Sequence, residues 1–386
     1  MYKYFVKFII IKFLSSSISR AMKRNIMIIG SGIVGQASGK GLIKKGYYVT
    51  FIDNNKAVVK KLKQEGFEAY LPNELEDNSS AGGNVDAEIS MVSVPTPSNW
   101  HDGSADLSYI TSAIVQLGRW LKNKRRNSKA NGSSSNNYHL VVIRSTVPIG
   151  TCRKVLLPLL QTASGLGVGS DFGLCMQPEF MRTLSGEYDF LNPHVTVIGQ
   201  FDKRSGDELE KIYSNFRAPL FRVGLEEAEF MKYIHNCFNA TKISFANEMW
   251  LLGQRLEIDA NLALQLAAMS AEGFWNPNYG TIGGLPYGGP CLPKDIKAFL
   301  AFAREFGVSM PMISAADSVN SHMEKLAEKG QVPYATLSQP KKPQFPPISN
   351  TNTTASTQSV TIKRKKKKKN NKNKSSHDEY LLTDNL

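Results

Sequence analysis

The sequence predicts a doubly wound α/β domain followed by an all-helical region. Short apolar runs alternate with segments of helical periodicity through the first half of the 386-residue chain. A glycine-rich turn joins the first apolar run to the first helical segment, and a helical stretch without proline extends from Glu226 to about Ala268. Strands that alternate with helices imply right-handed βαβ units and a parallel sheet. The long helix predicts a second, helical domain after that sheet.

Six apolar runs are predicted to be buried strands. The four strongest are NIMIIG (25–30), YYVTFID (47–53), AEISMVSVPTP (87–97) and HLVVIRSTVP (139–148). Two weaker runs continue the sheet, DFGLCMQPEF (171–180) and VTVIG (195–199). Helices are expected over 33–46, 56–66, 107–122, 295–306 and 315–329. The polar run 122–137 is expected to be a loop because it has no residues that could form a core.

The turn after the first strand reads GSGIVG (30–35), a G-x-G-x-x-G that also opens a helix. In this pattern Gly30 permits the tight turn, Gly32 lets the backbone approach a pyrophosphate, and Gly35 lets helix and strand pack closely. Asp53 ends the second strand, where a carboxylate accepts hydrogen bonds from ribose hydroxyls and repels a 2′-phosphate. The pattern therefore predicts a Rossmann-like domain that binds NAD rather than NADP. A glycine turn in another kind of α/β protein is the alternative.

Composition divides the chain into four segments. We expect an N-terminal extension (1–21), an NAD-binding domain (22–222), a helical central domain (223–330) and a disordered, low-complexity basic tail (331–386). In the extension, lysines interrupt the apolar run MYKYFVKFIIIKFL, no cleavage site of small residues follows, and the run is too short to span a bilayer. A weak anchor to a membrane surface is the alternative for this segment.

The formal net charge of +14 is concentrated in three stretches, 1–20, 122–129 and 363–374. The rest of the chain is mildly acidic, which argues against a nucleic-acid-binding body. The nine basic residues of 363–374 are expected to form a solvated tail, and nonspecific contact with polyanions is the alternative. The four cysteines stand far apart without metal-ligand spacing, which argues against disulfides and zinc and favours the reducing cytoplasm.

Two further features of the sequence indicate candidate catalytic residues. Cys291 lies in the glycine- and proline-rich run GGLPYGGPCLPKD (283–295), which reads as a loop, and the nearby Lys294 favours a thiolate. An inert loop cysteine is the alternative. In the long helix, Lys232 and Asn236 share one face, and Asn239 lies at its edge. The same spacing suits a solvated stripe, so both interpretations stay open. On that helix Cys237 is expected in the core, and His235 is expected to be structural.

Six motifs in this order resemble the UDP-glucose/GDP-mannose dehydrogenase family. They are GSGIVG with Asp53, VPTP with DGSADLSYI, RSTVPIGT, QPEF with DFLNPHVTVIG, AEFMKYIHNCFNATK and YGGPCLPKD, and together they cover roughly residues 24–330. The resemblance implies two successive NAD-dependent oxidations at one carbon, through an aldehyde to a carboxylate. Within the family the motifs lean toward the members that convert UDP-glucose to UDP-glucuronate, which serves polysaccharide synthesis. GDP-mannose and N-acetylated UDP-hexosamines are the alternative substrates.

The resemblance also implies roles for individual residues. Cys291 would attack the aldehyde and form a thiohemiacetal, which a second oxidation turns into a thioester. Lys232 and Asn236 would stabilise oxyanions, and Glu179, Thr146 and Asp295 would serve the thioester step and proton transfer. The expected cofactor contacts are Gly30, Gly32, Val34, Gly35, Asp53, Thr96, Thr146 and Lys294, and the expected substrate contacts are Glu179, Lys232, Asn236, Tyr287 and Gly288.

In two places the chain departs from the family pattern. Members usually continue QPEF with a glutamate–glycine pair, whereas this chain has Thr183 and Leu184. Members also carry a third α/β domain that closes over the nucleotide, and the tail 331–386 does not resemble it. A relative that binds NAD and dimerises without turnover is therefore the second functional hypothesis. A homodimer through the long helix 226–268 is expected under both hypotheses.

Overall fold

The computed structural model describes residues 24–75, 85–130, 138–182, 184–281, 283–289 and 291–331. Its described residues up to 281, with 287–321, belong to one compact unit, and 283–286 with 322–331 belong to a second. The predictions for the extension 1–21 and for the basic tail beyond Gln331 lie outside the described residues, as does that for Thr183. Within these ranges, none of the helices combines the length and the apolar composition needed to cross a membrane.

The first domain is built on one eight-stranded sheet, with strand order β3-β2-β1-β4-β5-β6-β7-β8. The strands are β1 (Asn25–Ile29), β2 (Tyr48–Ile52), β3 (Glu68–Tyr70), β4 (Ile89–Val92), β5 (His139–Ile143), β6 (Phe172–Met176), β7 (Thr196–Gln200) and β8 (Leu220–Gly224). Neighbours pair in parallel except β6 with β7, which are antiparallel. Strand order reverses at β1, between β2 and β4, as the doubly wound prediction requires.

Helices cover both faces of this sheet. They are α1 (Ile33–Lys44), α2 (Lys56–Gln64), α3 (Ser108–Ala130), α4 (Leu157–Ser164), α5 (Gly186–Leu191) and α6 (Lys203–Tyr213). A π-helical turn, Cys152–Leu156, leads into α4. Alternate strand residues point to opposite faces, so Met27 belongs to a core with α3 and α4, whereas Ile28 belongs to a core with α1, α2 and α6. The confirmed fold is therefore a three-layer α/β/α sandwich.

In the sheet domain, the structure adds two strands to the prediction and corrects one loop. Strands β3 and β8 were not predicted, because β3 has only three residues and β8 is only half-buried throughout. The predicted loop at 122–137 is wrong as far as Ala130, where α3 ends. Two of its basic residues form ion pairs, Lys124 with Asp86 at 2.6 Å and Arg125 with Asp171 at 3.1 Å.

A helical region follows the sheet and contains α7 (Leu225–Arg255), α8 (Ala260–Ser270), α9 (Glu272–Trp275), α10 (Leu292–Glu305) and α11 (Pro311–Glu328). The prediction of one helix over 226–268 is wrong. Glu257 adopts a left-handed conformation at φ 56°, which breaks the helix after Arg255. Asp259 then caps α8 by accepting a hydrogen bond from the Leu262 amide at 3.0 Å.

A small core joins α7, α10 and α11 through Leu252, Leu300 and Ile313. The rest of α7 is more exposed than the sequence suggests. Cys237, which was predicted to lie in the core, is exposed, so that prediction is wrong. Its neighbour Phe238 is also largely exposed, at 62% of its surface. The middle of α7 therefore presents apolar side chains outward.

Candidate active site

The glycine turn lies at the carboxyl end of β1, where α1 begins. Gly30 has φ +88°, and a Cβ there would stand 2.6 Å from the Ser93 carbonyl oxygen. A Cβ on Gly35 would stand only 1.9 Å from the Gly30 carbonyl oxygen, so α1 can pack on β1 only through a glycine. Gly32 differs because it is exposed and a Cβ there would meet nothing within 4 Å. The turn thus leaves open space at the position where a pyrophosphate would approach.

Asp53 directly follows β2 and faces this turn. Its carboxylate accepts hydrogen bonds from the Ser31 amide at 2.7 Å and from the Asn55 amide at 2.8 Å. These bonds fix a half-buried negative charge beside the glycine turn. Val34, another expected cofactor contact, is half-buried in the first turn of α1. The residues present therefore fit a dinucleotide whose ribose hydroxyls meet Asp53.

Thr96 and Thr146 lie together on the same edge of the sheet. The Thr96 hydroxyl donates to the Thr146 main-chain carbonyl at 2.6 Å, and the Ser145 hydroxyl donates to the Val94 carbonyl at 2.7 Å. These bonds join the segments that follow β4 and β5. Because β2, β1, β4 and β5 are adjacent and parallel, their carboxyl ends form one continuous edge. The predicted cofactor contacts from Gly30 to Thr146 all lie along it.

Lys232 and Glu179 form a close ion pair at the end of β6. The Lys232 Nζ donates to the Glu179 carboxylate at 3.0 Å and also to the Glu179 main-chain carbonyl. Their side chains are only 7% and 13% exposed. The other Glu179 oxygen accepts from the Met181 amide at 2.9 Å. A nearly buried ammonium is thus held by two acceptors in one fixed position.

His235 lies one turn further along α7, beside this pair. Its ring packs against Phe180 with centroids 4.8 Å apart, and its Nε2 lies 3.2 Å from the Asn239 amide nitrogen. Burial, and then the Lys232 ammonium, lower the pKa of His235. Asn236 and Asn239 are both exposed. Through these contacts with Phe180 and Asn239, His235 forms part of the wall of the site.

A cavity of about 440 Å³ adjoins Glu179. One wall is a buried polar network in which the Arg144 guanidinium and the Tyr213 hydroxyl both donate to the Gln177 side-chain oxygen. Sequence reasoning did not identify Arg144 or Gln177. Their signal is positional, since each directly follows a buried strand and precedes a predicted site residue by two positions. The cavity is lined by residues that include Glu179, Phe180, Arg182, Asn192, His194, His235 and Asn239.

Cys291 is exposed and occupies the N-cap position of α10. The prediction that the whole run 283–295 is a loop is therefore wrong for residues 292–295, which form the first turn of α10. Pro293 stands in the first helical turn, where its missing N–H costs nothing, and the Asp295 amide donates to the Cys291 carbonyl at 2.9 Å. Lys294 and Asp295 form an exposed ion pair with each other. Among the described residues, no hydrogen bond or ion pair links this group to Lys232, Asn236 or Thr146.

Tyr287 and Gly288 precede Cys291 in an irregular segment. The Tyr287 amide donates to the side-chain oxygen of Asn320 at 2.7 Å, and Asn320 is itself only 5% exposed. Gly288 is exposed. Asn320 is a second residue that sequence reasoning did not identify, and it positions the Tyr287 backbone. In the described part of the chain, no group of three His, Cys, Asp or Glu side chains is placed to hold a metal ion.

The doubly wound sheet, the glycine turn and Asp53 define an NAD-binding α/β protein. Matches to two models of one protein family identify this class more closely. The NAD-binding domain model of the UDP-glucose/GDP-mannose dehydrogenase family matches residues 24–217, and the family's central domain model matches residues 226–322. The chain belongs to this family of NAD-dependent nucleotide-sugar dehydrogenases.

Individual relatives agree with the family models. A GDP-mannose 6-dehydrogenase of Pseudomonas aeruginosa is 32% identical over 317 residues, covering 78% of this chain and 69% of the relative. A UDP-glucose 6-dehydrogenase, AglM, of Haloferax volcanii is 30% identical, covering 76% and 69%. A solved ternary complex of GDP-mannose dehydrogenase from P. aeruginosa matches with a TM-score of 0.68 and 29% identity, again covering 78% and 69%. The chain spans 66 to 69% of the length of such curated relatives.

Proposed function

We propose that this protein oxidises the primary alcohol of a nucleotide-linked hexose to a carboxylate, with UDP-glucose or GDP-mannose as substrate. The observation that carries the proposal is the meeting of two features in one compact unit. One is the dinucleotide-binding edge with Asp53, and the other is the Lys232–Glu179 pair at the end of the neighbouring strand β6. A fixed cation beside a hydride-accepting cofactor suits reactions in which an oxygen gains negative charge.

The oxidation removes four electrons in two steps. NAD supplies the hydride acceptor for each step. In the first step the C6 alcohol loses a hydride and a proton and becomes an aldehyde. The Cys291 thiolate then adds to the aldehyde carbon, and the oxygen takes up a proton, which gives a thiohemiacetal. Loss of a second hydride and of the hydroxyl proton gives a thioester, and water releases the carboxylate and the free thiol.

The remaining site residues serve these steps. Lys232 stabilises the oxyanions, and Asn236, exposed on the same helix, donates a hydrogen bond to them. Glu179, whose carboxylate accepts a hydrogen bond from Lys232, assists the thioester step. Thr146 and Asp295 orient the water or carry its proton. Val34, Asp53, Thr96 and Lys294 contact the cofactor, and the backbone of Tyr287 and Gly288 lines the sugar-nucleotide pocket. The cavity beside Glu179 offers room for the sugar.

The substrate test is a comparison of nucleotide sugars. Purified protein is incubated with NAD and either UDP-glucose, GDP-mannose or a UDP-N-acetylhexosamine, and NADH is measured per sugar consumed. Two NADH per sugar are expected for the true substrate and none for the others. The motifs favour UDP-glucose, whereas relatives at 32% identity are GDP-mannose 6-dehydrogenases, so both are included. No NADH with any of these sugars would reject the proposed oxidation.

The covalent step is tested by replacing single cysteines. Cys291→Ala is expected to abolish formation of two NADH per sugar, because no sulfur then holds the aldehyde. Cys237→Ala is the matched control, since Cys237 is also exposed but has no proposed role. Full turnover by Cys291→Ala would reject the thioester mechanism while leaving the dehydrogenase assignment in place.

The second candidate is a relative that binds NAD and dimerises without turnover. The observation that favours it is that, among the described residues, no hydrogen bond or ion pair links the exposed Cys291 to Lys232 or Asn236. Isothermal titration calorimetry separates the two candidates. NAD binding together with binding of a nucleotide sugar supports the enzyme, whereas NAD binding without measurable sugar affinity supports the second candidate.

The proposed assembly is a homodimer that pairs through α7. Phe230, Ile234 and Phe238 recur every four residues along this helix, and each is more than half exposed. Such a stripe of apolar side chains is typical of a surface that pairs with another helix. Light scattering is expected to give the mass of a dimer, and Phe238→Glu is expected to give that of a monomer. A monomeric wild type at micromolar concentration would reject this assembly.

A further inference from the structure

Glu229 is a fully buried carboxylate in the second turn of α7. Its two oxygens accept hydrogen bonds from the backbone amides of Gly150 and Cys152, the latter at 2.7 Å. In the described part of the chain no cation lies within ion-pair distance of it. The charge is instead held by amides at the start of the helical segment that runs from Thr151 into α4.

These two amides belong to the segment that carries Thr146. Thr146 is four residues before Gly150, and its main-chain carbonyl is bound by the Thr96 hydroxyl at 2.6 Å. On the other side, Glu229 and Lys232 are three residues apart on α7 and therefore lie on the same helical face. Glu229 thus connects the sheet edge that holds the cofactor contacts with the helix that carries the Lys232 ammonium.

We propose that Glu229 is a positioning residue. It keeps Lys232 at a fixed position relative to the segment that carries Thr146. The proposal rests on the proposed function, because it assigns Lys232 a role in turnover. A buried charge bound by two amides tolerates little displacement, because any movement leaves the carboxylate without partners. This pair of hydrogen bonds from the Gly150 and Cys152 amides to Glu229 is called the clamp, and its loss would let α7 shift against the sheet. A displacement of about 1 Å at a group remote from the chemistry can cost about 100-fold in rate.

A second buried glutamate on the same helix provides a matched control. Glu248 is 5% exposed and accepts hydrogen bonds from the backbone amides of Met312 and Ile313, the latter at 3.3 Å, at the start of α11. Its chemical situation is that of Glu229, but it clamps α7 to another helix rather than to the Thr146 segment. Comparing the two substitutions therefore separates the effect of losing a buried carboxylate from the effect of where that carboxylate lies.

The experiment compares Glu229→Gln and Glu248→Gln in the full chain. Each is expected to lower the unfolding midpoint. Only Glu229→Gln is expected to lower kcat, by about 10- to 100-fold with KM for the sugar changed less than about threefold, because Lys232 acts in the transition state. Equal kcat losses in the two variants would show that the effect is one of stability and would overturn the proposal.

A double-mutant cycle with Lys232→Met supplies the decisive measurement. If Glu229 acts through Lys232, adding Glu229→Gln to Lys232→Met changes kcat by less than about twofold. Multiplicative losses of rate would overturn the proposal. If the wild type forms no NADH, the proposed function fails, and hydrogen exchange then tests the clamp. Faster exchange at the amides of Gly150 and Cys152 and along 230–234 in Glu229→Gln would support it, and unchanged exchange would overturn it.

Discussion

The Lys232 ammonium donates to both the carboxylate and the main-chain carbonyl of Glu179. This pair joins α7 to the end of β6 and holds a cation in place before any substrate arrives. Preorganised donors stabilise a developing oxyanion without having to reorient at the moment of reaction. The fixed Lys232 ammonium is therefore expected to contribute most in the transition state.

Lys232→Met is expected to lower kcat by about 100- to 1,000-fold, the range seen when one oxyanion donor is removed. It also leaves the Glu179 carboxylate without its cation, so the free energy of unfolding should fall by about 1–3 kcal/mol. NADH formation and urea unfolding measure the two effects. Lys297→Met, which removes an exposed lysine of α10, should change neither. A kcat within twofold of wild type in Lys232→Met would contradict the role given to the ammonium.

Asp53→Asn is expected to weaken NAD binding by about 10-fold or more, because ribose hydroxyls lose a charged acceptor. The same change removes the repulsion of a 2′-phosphate, so the preference for NAD over NADP should shrink. Calorimetric titration with both dinucleotides measures this ratio. Glu68→Gln neutralises an exposed carboxylate on the neighbouring strand β3 and serves as the control. An unchanged ratio in Asp53→Asn would mean that Asp53 does not set the cofactor preference.

Alanine substitutions at two glycines of the turn, Gly35 and Gly32, are expected to affect different properties of the protein. Gly35→Ala should destabilise the fold by about 1–3 kcal/mol or more, because the new Cβ would collide with the Gly30 carbonyl oxygen. Gly32→Ala has open space and an ordinary φ of −71°, so stability should change by less than about 0.5 kcal/mol. NAD affinity should nevertheless fall in Gly32→Ala, because the methyl group occupies the pyrophosphate approach. Thermal unfolding and NAD titration of both variants check the contrast, which equal destabilisation would contradict.

The part of the fold that could be predicted is the part encoded locally. Strand β1 and the turn at Gly30 follow from a short apolar run and three glycines, and both are confirmed. The antiparallel pairing of β6 with β7 depends on partners distant in sequence, so no local pattern indicates it. The break in the helix at Glu257 could not be predicted from the sequence either, because a residue other than glycine adopts the left-handed conformation there.

The candidate site shows the same division. Asp53 could be placed because it ends a predicted strand, whereas Thr96 and Thr146 were expected only from the family resemblance. Adjacent parallel strands bring all three positions to one edge of the sheet. Glu229 could not be found, since three glutamates stand within five positions at the start of α7 and spacing does not tell which one is buried. The sequence did contain an indication that α10 begins directly after Cys291. A proline two positions later suits the first turn of a helix, but the surrounding glycines made the segment read as a loop.

The last prediction concerns His139, a buried imidazole at the start of β5. Its Nδ1 lies 3.1 Å from the Ala87 carbonyl oxygen, to which it donates, so its Nε2 accepts from the Ser90 hydroxyl at 2.8 Å. Burial, and then the nearby Lys124 ammonium, lower the pKa of His139 to about 3 from its ordinary value of 6.5. The folded protein therefore keeps this ring neutral at pH values where the unfolded chain protonates it.

Because the unfolded state binds the extra proton, stability must fall as the pH drops from about 6.5 toward 3. The His139 contribution to this slope is about 1.4 kcal/mol per pH unit within that window, and it vanishes above it. His139→Gln keeps a polar side chain but cannot titrate, so its unfolding free energy should decline less steeply with acid, although it is lower at pH 7. His101→Gln, which alters an exposed ring, should retain the wild-type slope. Urea unfolding at pH 7, 6, 5 and 4 measures the slopes, and parallel curves for wild type and His139→Gln would show that His139 is not the group that titrates.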